Sequence, residues 1–151
     1  MLTVVLSKFE GSLHHFIGKV QNSMDSTTSD PFASVPFKLR TTLEKRKQLS
    51  DQILSRHPTR VPLIVEPYRK QRVLFNRVKY LAPRDIPVCA FISELRKHCQ
   101  IEPSKALFFY FGHGKLQPMI RTLHEVYNEL SEDDGFLYVT YAEESCFGYV
   151  L

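Results

Sequence analysis

The chain has 151 residues and a formal net charge of +4, enough for one domain with a single apolar core plus appendages. It contains no run of about eighteen apolar residues, which excludes a membrane-spanning helix, and its N-terminus lacks the regions of a secretory signal. Cysteines occur at positions 89, 99 and 146, form no C-x-x-C motif and leave an odd count. This usage indicates reduced thiols and a cytoplasmic protein without a disulfide framework.

The charge is distributed unevenly. Between Lys38 and Arg84 there are thirteen Lys or Arg residues against three acids, whereas 125–144 holds seven acids and no Lys or Arg. One part of the domain should therefore carry a positive field and another a negative field.

Three regions are predicted: an N-terminal extension over 1–35, a domain over 36–142 and a flexible C-terminal arm over 143–151. Apolar residues recur at near-helical spacing in 2–20, and a polar segment, predicted to be disordered, follows in 21–31. The apolar face could dock on the domain or lie on a membrane. Docking or partial disorder is favoured because few basic residues accompany that face.

The first helix of the domain is predicted to begin after Thr41 or Thr42, which can cap it, and to end near Arg56, before the His-Pro pair. Its expected inner face contains Leu43, Leu49, Ile53 and Leu54. A buried strand is predicted over 61–66, and a second strand over 73–81, stopped by an Ala-Pro pair.

A second helix is predicted from Pro87 to about Cys99, then a strand over 105–111, a helix over 119–130 and a last strand over 136–141. Two strands, a helix and further strands over one helix face predict an α+β, β-grasp (ubiquitin-like) fold. The expected sheet is four-stranded and mixed, with extra N-terminal helices.

The residues do not favour an enzyme. His57 precedes a proline at a helix end, His113 lies in a Gly-His-Gly turn, and no metal-ligand spacing is present. Nucleic-acid binding by the basic segment is a further hypothesis. Its aromatic residues Phe75 and Tyr80 occur at strand spacing, which core packing explains better. No nucleic-acid partner is therefore expected.

Peptide capture is the sharper hypothesis. The strand containing Arg77 and Lys79 is expected to be a sheet edge, to which an extended peptide could add, and Lys79 would favour acidic ligands. The alternative, an ordinary edge protected from aggregation by the same two charges, remains open on periodicity alone.

Near the C-terminus, Gly148 follows the last strand and a polar arm. Glycine has no Cβ, so its carbonyl can enter a narrow protease or ligase channel that a side chain would block.

Seven ordered motifs resemble the autophagy ubiquitin-like modifiers, the GABARAP and microtubule-associated light-chain family. They are FKLRTTLEKR (37–46), RHPTRVPLIVE (56–66), KYLAP (79–83), ALFF (106–109), EVY (125–127), DDGFLY (133–138) and FG (147–148). The similarity covers 37–149 and leaves 1–35 outside it.

The resemblance implies a β-grasp core and cleavage between Gly148 and Tyr149 by a processing cysteine protease. Activating and conjugating enzymes would then transfer Gly148 to phosphatidylethanolamine, with no cofactor other than this covalent lipid. The chain would be cytoplasmic, and on the autophagosome membrane when lipidated, where it would recruit cargo receptors.

The resemblance also implies two pockets for an aromatic-x-x-aliphatic peptide. The first pocket, for the aromatic residue, would be lined by Ile53, Pro62, Ile64, Lys79, Leu81 and Phe136. The second pocket, for the aliphatic residue, would be lined by Tyr80, Ala82, Pro83, Phe91 and Leu95. Phe108 and His98 match positions that the family uses in protease recognition.

The chain departs from the family pattern at three positions near these sites. Glu94 replaces an aliphatic residue of the second pocket and should turn outward or pair with a base, because an unpaired buried carboxylate is costly. His98 replaces an arginine, and Leu49 occupies the place of an acid that faces Lys79. These changes predict a divergent family member. The alternative function is an unconjugated ubiquitin-like module that binds acidic partners such as microtubules.

Overall fold

The computed structural model describes residues 35–69, 71–75, 77–99 and 101–144. The predicted N-terminal helix and polar segment, Cys146, Gly148 and Tyr149 lie outside these residues. The described elements, in chain order, are α1 (Phe37–Arg40), α2 (Leu43–Arg56), β1 (Arg60–Pro67), β2 (Lys79–Pro83), α3 (Val88–Lys97), β3 (Leu107–Phe111), α4 (Leu123–Leu130) and β4 (Leu137–Glu143).

The strands form one mixed sheet in the order β2-β1-β4-β3. β1 runs parallel to β4, while β2 and β3 pair antiparallel with β1 and β4 respectively. This is the four-stranded, mixed β-grasp sheet expected from the sequence, and the α+β fold class is confirmed.

Both faces of the sheet are covered, which explains why the apolar sequence of β1 does not alternate with polar residues. Val61, Leu63 and Val65 of β1 belong to the larger core cluster, together with residues of α3 and α4. Ile64 points to the opposite face and belongs to a smaller cluster with Phe37 and Phe136, against which α2 packs.

The predicted inner face of α2 is partly wrong. The helix begins after Thr42, whose side chain accepts a hydrogen bond from the Lys45 N–H, as expected for a cap. Its buried residues, however, are Arg46 and Ser50, while Leu43 is 47% exposed. Arg46 can be buried because its Nε donates to Asp134 Oδ2 at 2.8 Å.

The second strand is also shorter than predicted. It starts at Lys79 and includes Pro83, which was expected to lie beyond its end. Leu74 and Phe75 are buried in the larger core cluster but lie in a loop. There the Leu74 N–H donates to the Tyr141 hydroxyl at 3.1 Å, a side-chain substitute for strand pairing.

The helix predicted from Met119 begins four residues later. Thr122 and Glu125 form a reciprocal capping box that fixes the start of α4 at Leu123. The Met119 and Arg121 carbonyls instead accept hydrogen bonds from the Cys89 and Val88 N–H groups at the start of α3. Cys89, in the first turn of α3, is exposed. The remaining predicted ends differ from the structure by two residues or fewer.

Candidate functional site

The strand β2 is an edge of the sheet, as the sequence predicted. Its inner side pairs with β1, and no other described strand pairs with its outer side. The backbone groups along that outer side can therefore bond an added extended peptide. Successive side chains of β2 point to opposite sheet faces, so such a peptide would have a binding surface on each side.

The residues of the first pocket come together on the α2 face. In the register of the sheet, Leu81 lies opposite Pro62, and Lys79 lies opposite Ile64. Ile53 packs against the same small cluster from α2. Ile64 and Phe136 are fully buried, whereas Lys79 is exposed at the edge. The floor of this pocket is thus apolar and its rim is basic.

Phe37 belongs to the same apolar cluster as Ile64 and Phe136 of the predicted first pocket, and it was not identified as a site residue from the sequence. Its ring is buried and packs edge-on against Phe136, with 5.7 Å between ring centroids. Lys79 Nζ lies 5.4 Å from the centroid of the Phe37 ring. The only sequence signal was its place in the first motif. Phe37 therefore contacts both the exposed Lys79 and the buried Phe136.

Glu66 fixes the start of α1 beside this pocket. Its Oε1 accepts a hydrogen bond from the Phe37 N–H, which links the end of β1 to the first helical residue. Burial raises the pKa of the Glu66 carboxyl, while this hydrogen bond and the nearby Arg40 and Lys38 oppose the rise. The carboxyl thus positions Phe37, although its burial destabilises the charged form of Glu66.

Four of the five residues predicted for the second pocket lie on the opposite sheet face, which is covered by α3. The fifth, Pro83, follows Ala82 in β2 and so points to the α2 face. Ala82, Phe91 and Leu95 are buried in the larger core cluster, and Tyr80 packs against it. Burial raises the pKa of the Tyr80 phenol. Pro83 lies at the end of β2, opposite Arg60. The predicted second pocket would therefore lie between β2 and α3.

Glu94 does not turn outward; it is 3% exposed and paired, the other outcome expected from the sequence. Its carboxylate lies 3.0 Å from Lys97 Nζ and 3.5 Å from His98 Nε2. Lys97 is the last residue of α3 and His98 caps its C-terminal end, and both have about two fifths of their side-chain surface exposed. A buried, paired carboxylate therefore lies one turn along α3 from Phe91, a residue of the predicted second pocket.

The residues predicted for protease recognition are both accessible. Phe108 is 37% exposed on β3, the opposite edge strand, where it pairs with Ala142. His98 is exposed at the C-terminal end of α3. The structure does not test their role, and Gly148 lies outside the described residues.

A buried polar network, also missed from the sequence, holds α2 against the start of β4. Asp134 accepts hydrogen bonds from Arg46, the Tyr138 hydroxyl and the Phe136 N–H, at 2.8, 2.6 and 3.1 Å. Burial and the bond to Asp134 raise the pKa of Tyr138. Because Phe136 is one of the residues predicted for the first pocket, the network fixes the position of that residue.

The tight turn before β4 requires glycine. Gly135 has a φ of +83°, and a Cβ at this position would lie 2.5 Å from Ser50 Oγ. Ser50 itself donates to the Asp134 carbonyl at 2.5 Å. The Asp-Asp-Gly motif therefore serves the contact between α2 and β4 as well as the turn.

Within the described residues, no group of three or more His, Cys, Asp or Glu side chains could hold a metal ion. Among the same residues, none of the helices has the length and apolarity needed to cross a membrane.

The β-grasp sheet, the two N-terminal helices and the two-faced edge strand define a ubiquitin-like protein. The family model described as "Autophagy protein Atg8 ubiquitin like" matches residues 45–148. The chain belongs to this Atg8 family, whose members are ubiquitin-like autophagy proteins rather than enzymes and interact with autophagy machinery and receptors.

Individual relatives agree with this assignment. Autophagy-related protein 8h of Arabidopsis thaliana is 39% identical over 113 residues, which is 74% of this chain and 94% of the relative. Autophagy-related protein 8 of Candida glabrata is 39% identical over 114 residues, covering 75% and 96% respectively. The crystal structure of Trypanosoma brucei ATG8 matches with a TM-score of 0.65 and 34% identity, covering 72% of this chain and 93% of that chain.

Proposed function

We propose that this chain is processed after Gly148, conjugated to phosphatidylethanolamine, and recruits receptors with aromatic-x-x-aliphatic motifs to autophagosomal membranes. The single observation that carries the receptor half is the edge strand β2, whose outer side pairs with no other described strand and which has an apolar cluster on each sheet face. Peptide addition to such an edge is a recurring mode of recognition.

The spacing of the ligand motif fits this edge. Residues that point to one face of an extended peptide alternate with those that point to the other. The first and fourth residues of the motif therefore point to opposite faces, as do the two pockets. Lys79, exposed at the rim of the first pocket, would attract acidic residues flanking the motif.

Support for the conjugation half comes from the sequence and the family. Gly148 has no side chain to obstruct a protease or a conjugating enzyme, and the family match extends to this residue. The processing protease, the activating and conjugating enzymes, and the cytoplasmic and autophagosomal locations are part of the same proposal.

A second candidate function is supported by the basic residues between Lys38 and Arg84. In that case the chain would stay unconjugated and would bind acidic partners such as microtubules. Sedimentation with microtubules at low and physiological salt tests this alternative, since an electrostatic association weakens as salt is added.

Peptide titration tests the receptor site. A peptide with an acidic flank and the aromatic-x-x-aliphatic motif should bind, and replacement of either anchor by alanine should weaken binding at least about 10-fold. Lys79→Glu should weaken it by a similar factor, because it places a like charge beside the acidic flank.

Lys45→Glu is the matched control, since Lys45 is exposed on α2 and the change in net charge is the same. Equal losses in the two variants would show that only overall charge matters. Retention of full affinity in Lys79→Glu would refute the proposed site.

A further inference from the structure

The basic loop between β1 and β2 lies beside the C-terminal end of β4, where the C-terminal arm begins. The segment 68–79 contains five Lys or Arg residues and no acid. The Tyr68 N–H donates to the Tyr141 carbonyl at 2.8 Å, and Arg72 Nη2 lies 3.6 Å from Glu143 Oε1. This loop is thereby held at the C-terminal end of β4.

Two further segments bring basic side chains to the same end. α3 ends at Lys97, and the electrostatic neighbours of Cys99 just beyond it include both Arg72 and Glu143. Lys105 precedes Ala106, whose carbonyl accepts a hydrogen bond from the Glu144 N–H. We call Arg69, Arg72, Arg77, Lys97 and Lys105 the basic collar.

Among the exposed side chains, the collar outweighs the acids around it. The exposed acids at this end are Glu102 and Glu144, whereas Glu143 is largely covered and faces Arg72, Glu94 is buried beside Lys97, and Glu66 is half-buried at the end of β1. Arg69, Lys97 and Lys105 are exposed, and 63% of the Arg72 side chain is accessible. A positive field therefore points in the direction in which the arm leaves the domain.

We propose that the basic collar binds the anionic headgroups of the membrane to which the arm is attached. The inference rests on the proposed conjugation for its biological setting. Four residue steps separate Glu144 from Gly148. Fully extended, these span at most about 14 Å. This short reach holds the collar end within one to two Debye lengths, about 8 Å each at physiological salt, of a bilayer attached at Gly148.

Such contact would orient the domain and leave its receptor edge accessible. Lys79 lies at the start of β2, and the remaining strand runs from there toward the opposite end of the sheet. If the collar binds headgroups, the collar end of the sheet faces the bilayer and the rest of β2 extends away from the membrane surface. Conjugated chains would then present both pockets to receptors at a fixed height.

Vesicle flotation of the full, unconjugated chain tests the inference without requiring processing or lipidation. We expect negligible binding to phosphatidylcholine vesicles and measurable binding when about 30% phosphatidylserine is included, weakening as salt is raised. Each Lys or Arg near an anionic surface contributes roughly a 5-fold change in partitioning. Arg69→Gln with Arg72→Gln should therefore reduce partitioning roughly 25-fold.

The matched control is Lys45→Gln with Lys47→Gln. It removes the same charge from exposed positions on α2, near the opposite end of β4, because Arg46 between them contacts Asp134. The control should reduce partitioning less than about 2-fold. Urea unfolding of each variant checks that the fold persists.

Three outcomes would overturn the inference: binding that does not depend on phosphatidylserine, equal losses in the two paired variants, or binding to polyglutamate but not to vesicles. Each leaves the proposed conjugation intact, because processing at Gly148 is measured separately. Conversely, loss of conjugation with collar-dependent vesicle binding would refute the proposed function and retain the inference.

Discussion

The buried carboxylate of Glu94, on the helix that would line the predicted second pocket, gives a prediction for both stability and binding. Glu94 is 3% exposed, whereas its partners Lys97 and His98 remain partly solvated. Replacing a buried ion pair with a well-packed apolar residue is often neutral or stabilises by about 1–4 kcal/mol. Only one member of this group is buried, so Glu94→Leu should stabilise the fold by about 1 kcal/mol.

The same substitution should improve the second pocket. In the native chain, a ligand's aliphatic side chain would be packed beside a carboxylate that is already buried from water, which is unfavourable. Leucine removes that charge. The leucine would add apolar contact worth about one methylene group, or about 0.8 kcal/mol, so affinity for aromatic-x-x-aliphatic peptides should rise about 4-fold. Glu94→Gln, which keeps the shape and polarity but removes the charge, should give little or no gain.

Urea unfolding with a double-mutant cycle tests whether Glu94 and Lys97 are coupled. Lys97→Ala in the native chain removes one partner of a buried carboxylate and should cost about 1–2 kcal/mol. In the Glu94→Leu background it should cost less than about 0.5 kcal/mol. The reasoning is refuted if Glu94→Leu destabilises by more than about 1 kcal/mol, or if Lys97→Ala costs the same in both backgrounds.

Three further predictions concern the residues that shape the first pocket. Asp134→Asn removes the charge that pairs with buried Arg46 and should destabilise the fold by about 3 kcal/mol, measured by urea unfolding; a loss below about 1 kcal/mol would contradict the network. Phe37→Ala should cost about 3 kcal/mol and weaken peptide binding, whereas Leu39→Ala on the same helix, at a 78% exposed position, should change neither measurement. Because burial raises the folded-state pKa of Glu66, its contribution to stability is largest below the carboxyl's ordinary pKa of 4.5 and declines as pH rises through the higher, folded-state pKa. Glu66→Gln should remove that decline from the profile of unfolding free energy against pH, and an unchanged profile would show that Glu66 is not its source.

Local sequence patterns predicted the elements that depend on neighbouring residues. The residues around the start of α2 narrowed its cap to Thr41 or Thr42, of which Thr42 is the cap, and a continuous apolar run predicted β1. The β-grasp order followed from the succession of strands and helices. The two-pocket assignment came from the family resemblance, and the observed edge and register are compatible with it.

The errors arose where distant residues decide the outcome. Arg46 interacts with Asp134, 88 positions away, so burial of a charged residue on α2 could not be read from the helix alone. Leu74 and Phe75 have the apolar character of a strand, yet the Tyr141 hydroxyl bonds the Leu74 N–H and keeps them in a loop. The packing of Phe37 on Phe136 likewise joins segments that no local pattern relates.

Intact-mass spectrometry of the chain recovered from its native cells during starvation tests the central claim most directly. The account predicts that Tyr149, Val150 and Leu151 are absent and that a phosphatidylethanolamine-sized mass is present on Gly148. Gly148→Ala should reduce this species strongly, because a Cβ obstructs the channels that the glycine carbonyl must enter. A chain that retains all three terminal residues and no lipid under these conditions would contradict the account.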